Sequence, residues 1–135
     1  MIVIACVDKK YGMLFNHRRQ SQDRLLRTRI LERTEQSRLW MNAYSSKQFK
    51  EGLPSHVFES EDFLALAGPN DFCFVEDADL TSYQDKISGI ILYHWNRIYP
   101  ADHYFSLDMT PFMLQSIADF SGASHDTITE EVHAL

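Results

Sequence analysis

Three runs of consecutive apolar residues are the strongest pattern in the chain. They are residues 2–7 (IVIACV), residues 72–75 (FCFV) and the start of residues 89–97 (GIILYHWNR). A continuous apolar run with β-branched residues is typical of a strand that is buried on both faces, as in a parallel sheet. We therefore predict three central strands.

Polar segments with helical signals lie between these strands. We expect Ser21 to cap a helix over residues 22–34, with Asp23 in its first turn and Leu26 and Ile30 facing the core. Smaller features are expected as follows: a turn at Gly12, short strands at 38–42 and 56–58, a helix capped by Ser45 over 45–51, a helix over 60–68, and a helix or helical turn over 79–87.

The end of the chain has a different pattern. Residues 114–120 and 127–135 alternate in polarity on either side of a Gly-Ala-Ser turn, which predicts an antiparallel hairpin. Strands that alternate with helices predict an α/β fold of three layers, with helices on both faces of a mainly parallel sheet. A length of 135 residues with no linker or repeat predicts one domain over residues 1–135.

Charge and cysteine content restrict the classes of function. A net charge of −6 argues against general nucleic-acid binding. Residues 1–38 contain nine of the thirteen basic residues and only four acids. This basic segment either binds an anionic ligand or forms ion pairs with the acidic remainder of the chain. Cys6 and Cys73 lie in apolar runs and are expected to be free thiols of a reducing cytoplasm.

No segment of the sequence predicts a membrane or secretory role. The short apolar stretch at the start of the sequence has no basic region before it and no small-residue cleavage site, and we interpret it as a strand rather than a signal peptide. No apolar run reaches the length that a membrane span needs. We therefore expect a cytoplasmic protein without a membrane partner.

The densest polar segment, residues 16–24, follows the first strand, where open α/β sheets place ligands. Asp23 is a candidate acid–base group, or it orients a proton donor. Alternatively, the segment is a solvated loop in which Ser21 and Asp23 only cap the helix. The ligand-binding candidates here and after the next strand are Asn16, Arg18, Arg19, Gln20, Arg24, Arg27, Asn42, Tyr44 and Ser45.

The end of the third central strand adds further candidates. His94 is a candidate general base or a structural histidine, and Asn96 and Arg97 are candidate ligand contacts. The six histidines show neither His-x-His nor His-x-x-x-His spacing, and there is no Cys-x-x-Cys, so we predict no metal site.

Several segments resemble dihydrofolate reductases in order and spacing over most of the chain. They are VDKKYGM, SQDRLLR, RLWMNAYSS, the long segment FCFVEDADLTSYQDKISGIILYHWNRIYPADHYFSLD, and IADFSGASHDTITEEVHAL. The resemblance implies a dihydrofolate reductase-like fold. In that family an acidic residue beside the pterin lies at the entry to the first helix, and Asp23 matches it after a gap of about one residue. Residues 42–45 match the segment that normally holds the cofactor phosphate and ribose. The chain is shorter than the family between Phe49 and Phe72.

The cofactor segments depart from the family's pattern. Where the family has consecutive glycines beside the pyrophosphate, this chain has carboxylates at Glu76, Asp77 and Asp79, which repel phosphate. We therefore expect that standard NADPH binding is lost, and the cofactor is unknown. Arg24 and Arg27 replace apolar residues on the substrate-facing side of the helix and suit a carboxylate or phosphate, unless both face water.

These observations favour a protein that binds a small anionic molecule in a polar crevice at the C-terminal ends of the central strands. The alternatives are a divergent NADPH-dependent reductase of a pterin or flavin-like substrate, and a non-enzymatic binding or regulatory module. Short proteins similar around residues 12–21 are sometimes labelled ribonuclease Z. We do not expect that activity, because only residues 124–126 (SHD) are similar to its zinc signature.

Overall fold

The computed structural model describes residues 1–49 and 51–135. The strands are β1 Ile2–Val7, β2 Gly12–Phe15, β3 Arg18–Arg19, β4 Leu39–Met41, β5 Val57–Glu59, β6 Phe72–Phe74, β7 Gly89–His94, β8 His103–Tyr104, β9 Met113–Phe120 and β10 Ile128–Ala134. The helices are α1 Arg24–Arg33, α2 Ala43–Ser46, α3 Phe63–Leu66 and a 3-10 helix, Thr81–Lys86.

The main sheet has seven strands in the order β5-β4-β6-β1-β7-β10-β9. The first five strands of this order pair in parallel, and β10 and β9 add an antiparallel edge. The three predicted central strands are β6, β1 and β7, which lie side by side. The mainly parallel sheet and the closing antiparallel hairpin are both confirmed.

Each face of the sheet carries its own apolar cluster, because side chains alternate along each strand. Ile4 faces α1, where Leu26 and Ile30 are buried against it. Val3 and Ala5 face the opposite cluster, which contains residues of α3 and flanks of the 3-10 helix. Helices therefore cover both faces, and the predicted three-layer arrangement is confirmed.

An ion pair joins α1 to the closing hairpin. Glu130 of β10 is buried and accepts hydrogen bonds from Arg29 Nε at 2.9 Å and from the Tyr93 hydroxyl at 2.8 Å. The guanidinium of Arg29 also lies over the ring of Phe120 at 4.4 Å. These contacts fix the orientation of the hairpin relative to the helix.

The predicted caps of two helices were wrong. Asp23 rather than Ser21 caps α1, because the Asp23 carboxylate accepts the N–H groups of Leu25 and Leu26. Asn42 rather than Ser45 caps α2, because its side-chain oxygen accepts the N–H of Ser45. In both cases the capping residue lies on the extended backbone that directly precedes the helix.

The predicted turn at Gly12 lies directly before that residue, at Lys9 and Lys10, and is closed by the hydrogen bond from the Asp8 N–H to the Gly12 carbonyl at 3.0 Å. Gly12 itself begins β2, and a second turn at Asn16 and His17, with φ values of 51° and 62°, leads from β2 to β3. The glycine is needed for close approach: a Cβ at position 12 would lie 2.6 Å from Ala101 Cβ and from Gln20 Nε2.

The helices are shorter than the sequence predicts. The helix predicted over 45–51 is instead Ala43–Ser46, two residues earlier, and position 50 of that prediction lies outside the described residues. The helix predicted over 60–68 is Phe63–Leu66, and within 79–87 the residues Thr81–Lys86 form a 3-10 helix. In the described ranges, no helix has the length and apolar character that crossing a membrane requires.

We predict that Ile30→Ala destabilises the fold by about 3 kcal/mol, because truncation of a fully buried side chain leaves a cavity against the sheet. Urea unfolding followed by circular dichroism measures the change. Glu32→Ala, on the exposed side of the same helix, is the matched control and should change stability by less than about 0.5 kcal/mol. Equal effects of the two substitutions would contradict the packing described for α1.

Candidate functional site

A narrow cavity of about 10 Å³, room for about one water molecule, lies at the carboxyl ends of β1, β6 and β7, on the α1 face of the sheet. We call it the carboxyl-end cavity. Its lining residues are Cys6, Ser21, Asp23, Leu26, Arg27, Ile30, Gln48, Phe74, Glu76 and Trp95. Polar residues on loops and on one side of α1 thus meet the apolar ends of three central strands.

Asp23 anchors the polar side of this cavity. Its buried carboxylate accepts the N–H groups of Leu25 and Leu26 and also those of Ala123 at 3.0 Å and Ser124 at 2.8 Å. Burial alone would raise the pKa of Asp23, but these hydrogen bonds and one from His125 outweigh it and hold the pKa well below its usual range. Asp23 is therefore ionised at neutral pH, and its oxygens are occupied.

His125 connects Asp23 to Ser21. His125 Nδ1 lies 2.9 Å from Asp23 Oδ2, and His125 Nε2 lies 2.8 Å from Ser21 Oγ. The imidazole is buried and stacks on the indole of Trp95, with ring centroids 4.6 Å apart. Because the ionised carboxylate only accepts, the neutral imidazole carries its proton on Nδ1, and Nε2 accepts the hydroxyl proton of Ser21.

Arg19, from the β2–β3 hairpin, pairs with Glu76, which lines the cavity. Its guanidinium makes a two-point ion pair with Glu76, with Nε–Oε2 and Nη2–Oε1 distances of 2.9 Å and 3.1 Å. It also lies 4.4 Å above the ring of Tyr44, whose hydroxyl accepts the Arg19 N–H. Arg19 and Tyr44, both predicted to bind a ligand, are thus brought together, and they bind each other and Glu76.

Two buried nitrogen donors of the cavity lining have no protein partner among the described residues. They are Arg27 Nε and Gln48 Nε2. The outer nitrogens of Arg27 donate to Glu51, at 2.8 Å, and to Gln22, so only the inner nitrogen is unpartnered. A buried donor without an acceptor is costly, and so these two groups mark the place where an acceptor atom would bind.

Most of the other predicted ligand-binding residues lie outside the cavity. Gln20 donates to Asp8 and Pro100, Asn42 caps α2 and donates to Asp77, and Ser45 is buried next to it in α2. Asn16, Arg18, Arg24, Asn96 and Arg97 are exposed. Asn96 and Arg97 border a separate, shallow depression with Trp95, Asp126 and Thr127.

The two predicted catalytic residues are not brought together. His94 lies on the same side of β7 as Ile90 and Leu92, which belong to the cluster on the face opposite α1. Its Nε2 is 2.7 Å from Glu131 Oε1. His94 therefore lies across the sheet from Asp23, and the histidine that contacts Asp23 is His125.

Five arginines of the basic N-terminal segment pair with the acidic remainder of the chain. The pairs are Arg19 with Glu76, Arg27 with Glu51, Arg29 and Arg33 with Glu130, and Arg38 with Asp71. Among the residues that the structure describes, Arg18 and Arg24 make no such ion pair. Internal pairing is thus the main use of this segment's positive charge.

The residues present do not fit a dinucleotide pyrophosphate. At the start of α2, the N–H of Ala43 donates to the Glu61 carboxylate at 2.9 Å and is not free for a phosphate oxygen. At the end of β6, Asp77 accepts from Asn42, and Asp79 accepts the N–H and hydroxyl of Thr81. The chain's own acids thus occupy the donors that a cofactor would need.

Sequence reasoning missed His125 and Gln48, and it treated Ser21 only as a cap. His125 is distant in sequence from Asp23. Its neighbours in the sequence, Ser124 and Asp126, gave no indication that it contacts Asp23 and Ser21. Within residues 1–49 and 51–135, no group of three His, Cys, Asp or Glu residues is placed to hold a metal ion.

Comparisons with known proteins place the fold. No family model matches the chain, and no curated protein matches its sequence. A solved structure of dihydrofolate reductase from Enterococcus faecalis, complexed with NADP(H) and RAB-propyl, is similar with a TM-score of 0.70. The match covers 98% of this chain and 94% of that chain at 9% sequence identity. The expected dihydrofolate reductase-like fold is therefore confirmed, and a likeness at this identity shows the fold alone.

We predict that Asp23→Asn lowers stability by about 3 kcal/mol at neutral pH, because the amide nitrogen faces donors rather than acceptors. Because the folded-state pKa is depressed, Asp23 contributes its full stabilisation above the ordinary carboxyl pKa of roughly 4, and the contribution is lost as pH falls below it. Urea unfolding between roughly pH 3 and 7 should show a shallower acid decline for Asp23→Asn than for the parent. Parallel curves would exclude this role for the carboxylate.

We also predict that NADPH does not bind in the usual mode, because Glu61, Asp77 and Asp79 fill the phosphate positions. Titration with NADPH, followed by the fluorescence of Trp40 and Trp95, should show no saturable change after correction for absorbance. Tight, saturable binding would overturn the account of these carboxylates.

Proposed function

We propose that this protein binds a small anionic molecule, of the size of a short carboxylate, in the carboxyl-end cavity and without a standard NADPH site. The observation that supports the proposal is the pair of buried, unpartnered donors, Arg27 Nε and Gln48 Nε2, in the lining of one cavity.

The charge balance of the cavity favours a ligand with acceptor atoms. The Asp23 carboxylate is saturated by donors from α1 and from the loop between β9 and β10, and Glu76 is paired at both oxygens with Arg19. Each buried donor without a partner costs about 1–3 kcal/mol, so an acceptor that reaches both would remove a substantial penalty. A carboxylate presents two such oxygens and complements the charge of Arg27.

The dimensions of the cavity restrict the ligand. Its interior has room for about one water molecule as it stands, so a carboxylate binds only when the rim moves outward. The rim is formed by long side chains: Arg27 is held there by Glu51, whose side chain is half exposed. Glu51 can leave this ion pair readily, because water solvates its exposed carboxylate and weakens the attraction.

The neighbouring open groove is a poorer anion site. Its lining includes the carboxylates of Asp77 and Asp102 beside His17 and His103. Like charge on the ligand and these carboxylates disfavours binding there. The same acids, with Glu61, also weigh against the alternative of an NADPH-dependent reductase.

We predict that acetate and oxalate bind with saturable shifts of the Arg27 Nε–H resonance in nitrogen–proton NMR spectra. Arg27→Gln should weaken binding by about tenfold or more, because it removes a charge-assisted hydrogen bond. Inorganic phosphate, which is larger, should bind more weakly than acetate.

Arg24→Gln is the matched control, because Arg24 is exposed on the same helix one turn earlier and lines no part of the cavity. It should leave the acetate affinity within about twofold of the parent value if the effect of Arg27 is local. Equal losses in the two variants would indicate nonspecific attraction to the basic helix, and the absence of any saturable shift would refute the anion site.

A further inference from the structure

Ser21, His125 and Asp23 have the arrangement of a nucleophile, a general base and a carboxylate that orients the base. The distance from Ser21 Oγ to His125 Nε2 is 2.8 Å, and that from His125 Nδ1 to Asp23 Oδ2 is 2.9 Å. Such a constellation is recognised by geometry and roles rather than by the order of its residues in the chain. Here the serine and aspartate precede α1, and the histidine comes from the β9–β10 loop.

We propose that these residues make the protein an acyl-transfer enzyme, in which Ser21 is the nucleophile that cleaves a small carboxylic ester. The proposal deepens the proposed function, on which it rests, because the ester's acyl group would occupy the carboxyl-end cavity. Ser21 lines that cavity together with Arg27 and Gln48.

The base is held in its working state by the surrounding structure. The Asp23 carboxylate, fixed by four backbone N–H groups, keeps the proton of the neutral imidazole on Nδ1 and leaves the Nε2 lone pair directed at Ser21. Stacking on Trp95 fixes the plane of the imidazole ring. A positioned base of this kind accepts the hydroxyl proton as the oxygen attacks.

The reaction balances with water as the only co-reactant. Ser21 Oγ attacks the ester carbonyl carbon, the Oγ–C bond forms, and the hydroxyl proton passes to His125 Nε2. The bond from carbon to the alcohol oxygen then breaks, and Nε2 returns the proton to the departing alkoxide. Water next attacks the acyl-serine, gives a proton to Nε2, and releases the carboxylic acid while Ser21 Oγ regains its proton.

The two unpartnered donors suit the charge that develops in this reaction. A carbonyl oxygen becomes negatively charged when the serine attacks, and preorganised N–H groups stabilise it. Arg27 Nε and Gln48 Nε2 are the buried donors of the cavity that have no partner among the described residues. They would also bind the carboxylate product, which connects the activity to the anion site.

The other nucleophile in the cavity, Cys6, is not suited to the role. Burial, with a smaller contribution from Glu76, raises the pKa of the Cys6 thiol well above its usual range. The thiol therefore stays protonated near neutral pH and is a weak nucleophile. No histidine hydrogen bond to Cys6 is present in the described part of the chain, whereas Ser21 has His125.

The test is covalent labelling of the full chain with a small alkyl fluorophosphonate, together with hydrolysis of p-nitrophenyl acetate. We expect one label per chain on the peptide that contains Ser21, and ester turnover above the rate in buffer. Ser21→Ala should abolish the label, and His125→Gln should reduce both rates by roughly a hundredfold. Ser82→Ala is the control, because Ser82 is exposed and makes no side-chain hydrogen bond among the described residues.

Circular dichroism and thermal unfolding of each variant separate loss of reactivity from loss of the fold, and Ser21→Ala removes only one oxygen. Labelling at another serine, equal labelling of Ser21→Ala, or no reaction with either reagent would overturn the proposal. Acetate binding without Ser21 labelling would leave the anion site intact and refute only the acyl transfer. Labelling without acetate binding would refute the anion site alone.

Discussion

The hydrogen bonds of the Asp23 carboxylate hold together parts of the chain that are far apart in sequence. Two of its donors are N–H groups in the first turn of α1, and four more groups come from residues 123–125 in the loop between β9 and β10. A Cβ at Gly122 would lie 2.6 Å from this carboxylate, so the loop can approach it only with glycine at that position. The start of the first helix and the closing hairpin are thereby fixed at one point.

The position of His125 depends on this anchor. The loop that donates to Asp23 also carries the imidazole, which then lies between the carboxylate, the Trp95 indole and the Ser21 hydroxyl. A side chain held on three sides has one orientation, and the hydrogen bond to an ionised carboxylate determines its tautomer. The same contacts that stabilise the fold therefore produce a directed lone pair beside a cavity.

The rest of the crevice differs from the central sheet in that its polar groups are mostly paired with one another. The dihydrofolate reductase-like sheet is retained, but Glu61, Asp77 and Asp79 occupy donors near the ends of β4 and β6, and Arg19 fills the space between Tyr44 and Glu76. Because the layered architecture depends on apolar packing, its polar edge can change without loss of the fold. The unpartnered nitrogens of Arg27 and Gln48 line one small cavity together with Ser21, whose hydroxyl contacts His125.

The sequence by itself determined which segments form the central strands and which side of α1 faces the sheet. Unbroken apolar runs such as 2–7 have no polar face to expose, so they had to become central strands, and the spacing of Leu26 and Ile30 fixed which side of α1 is buried. The polar residues could not be assigned in this way. Ser21 and Asp23 are equally good caps by type, and only the tertiary structure, by bringing the loop of His125 against them, made Asp23 the cap and gave Ser21 a histidine partner. Likewise, the sequence indicated Arg19 as a ligand-binding candidate and Glu76 as a carboxylate where the family has glycine. It could not show that the two residues pair, because an ion pair depends on which distant segments the folded sheet brings within hydrogen-bond distance.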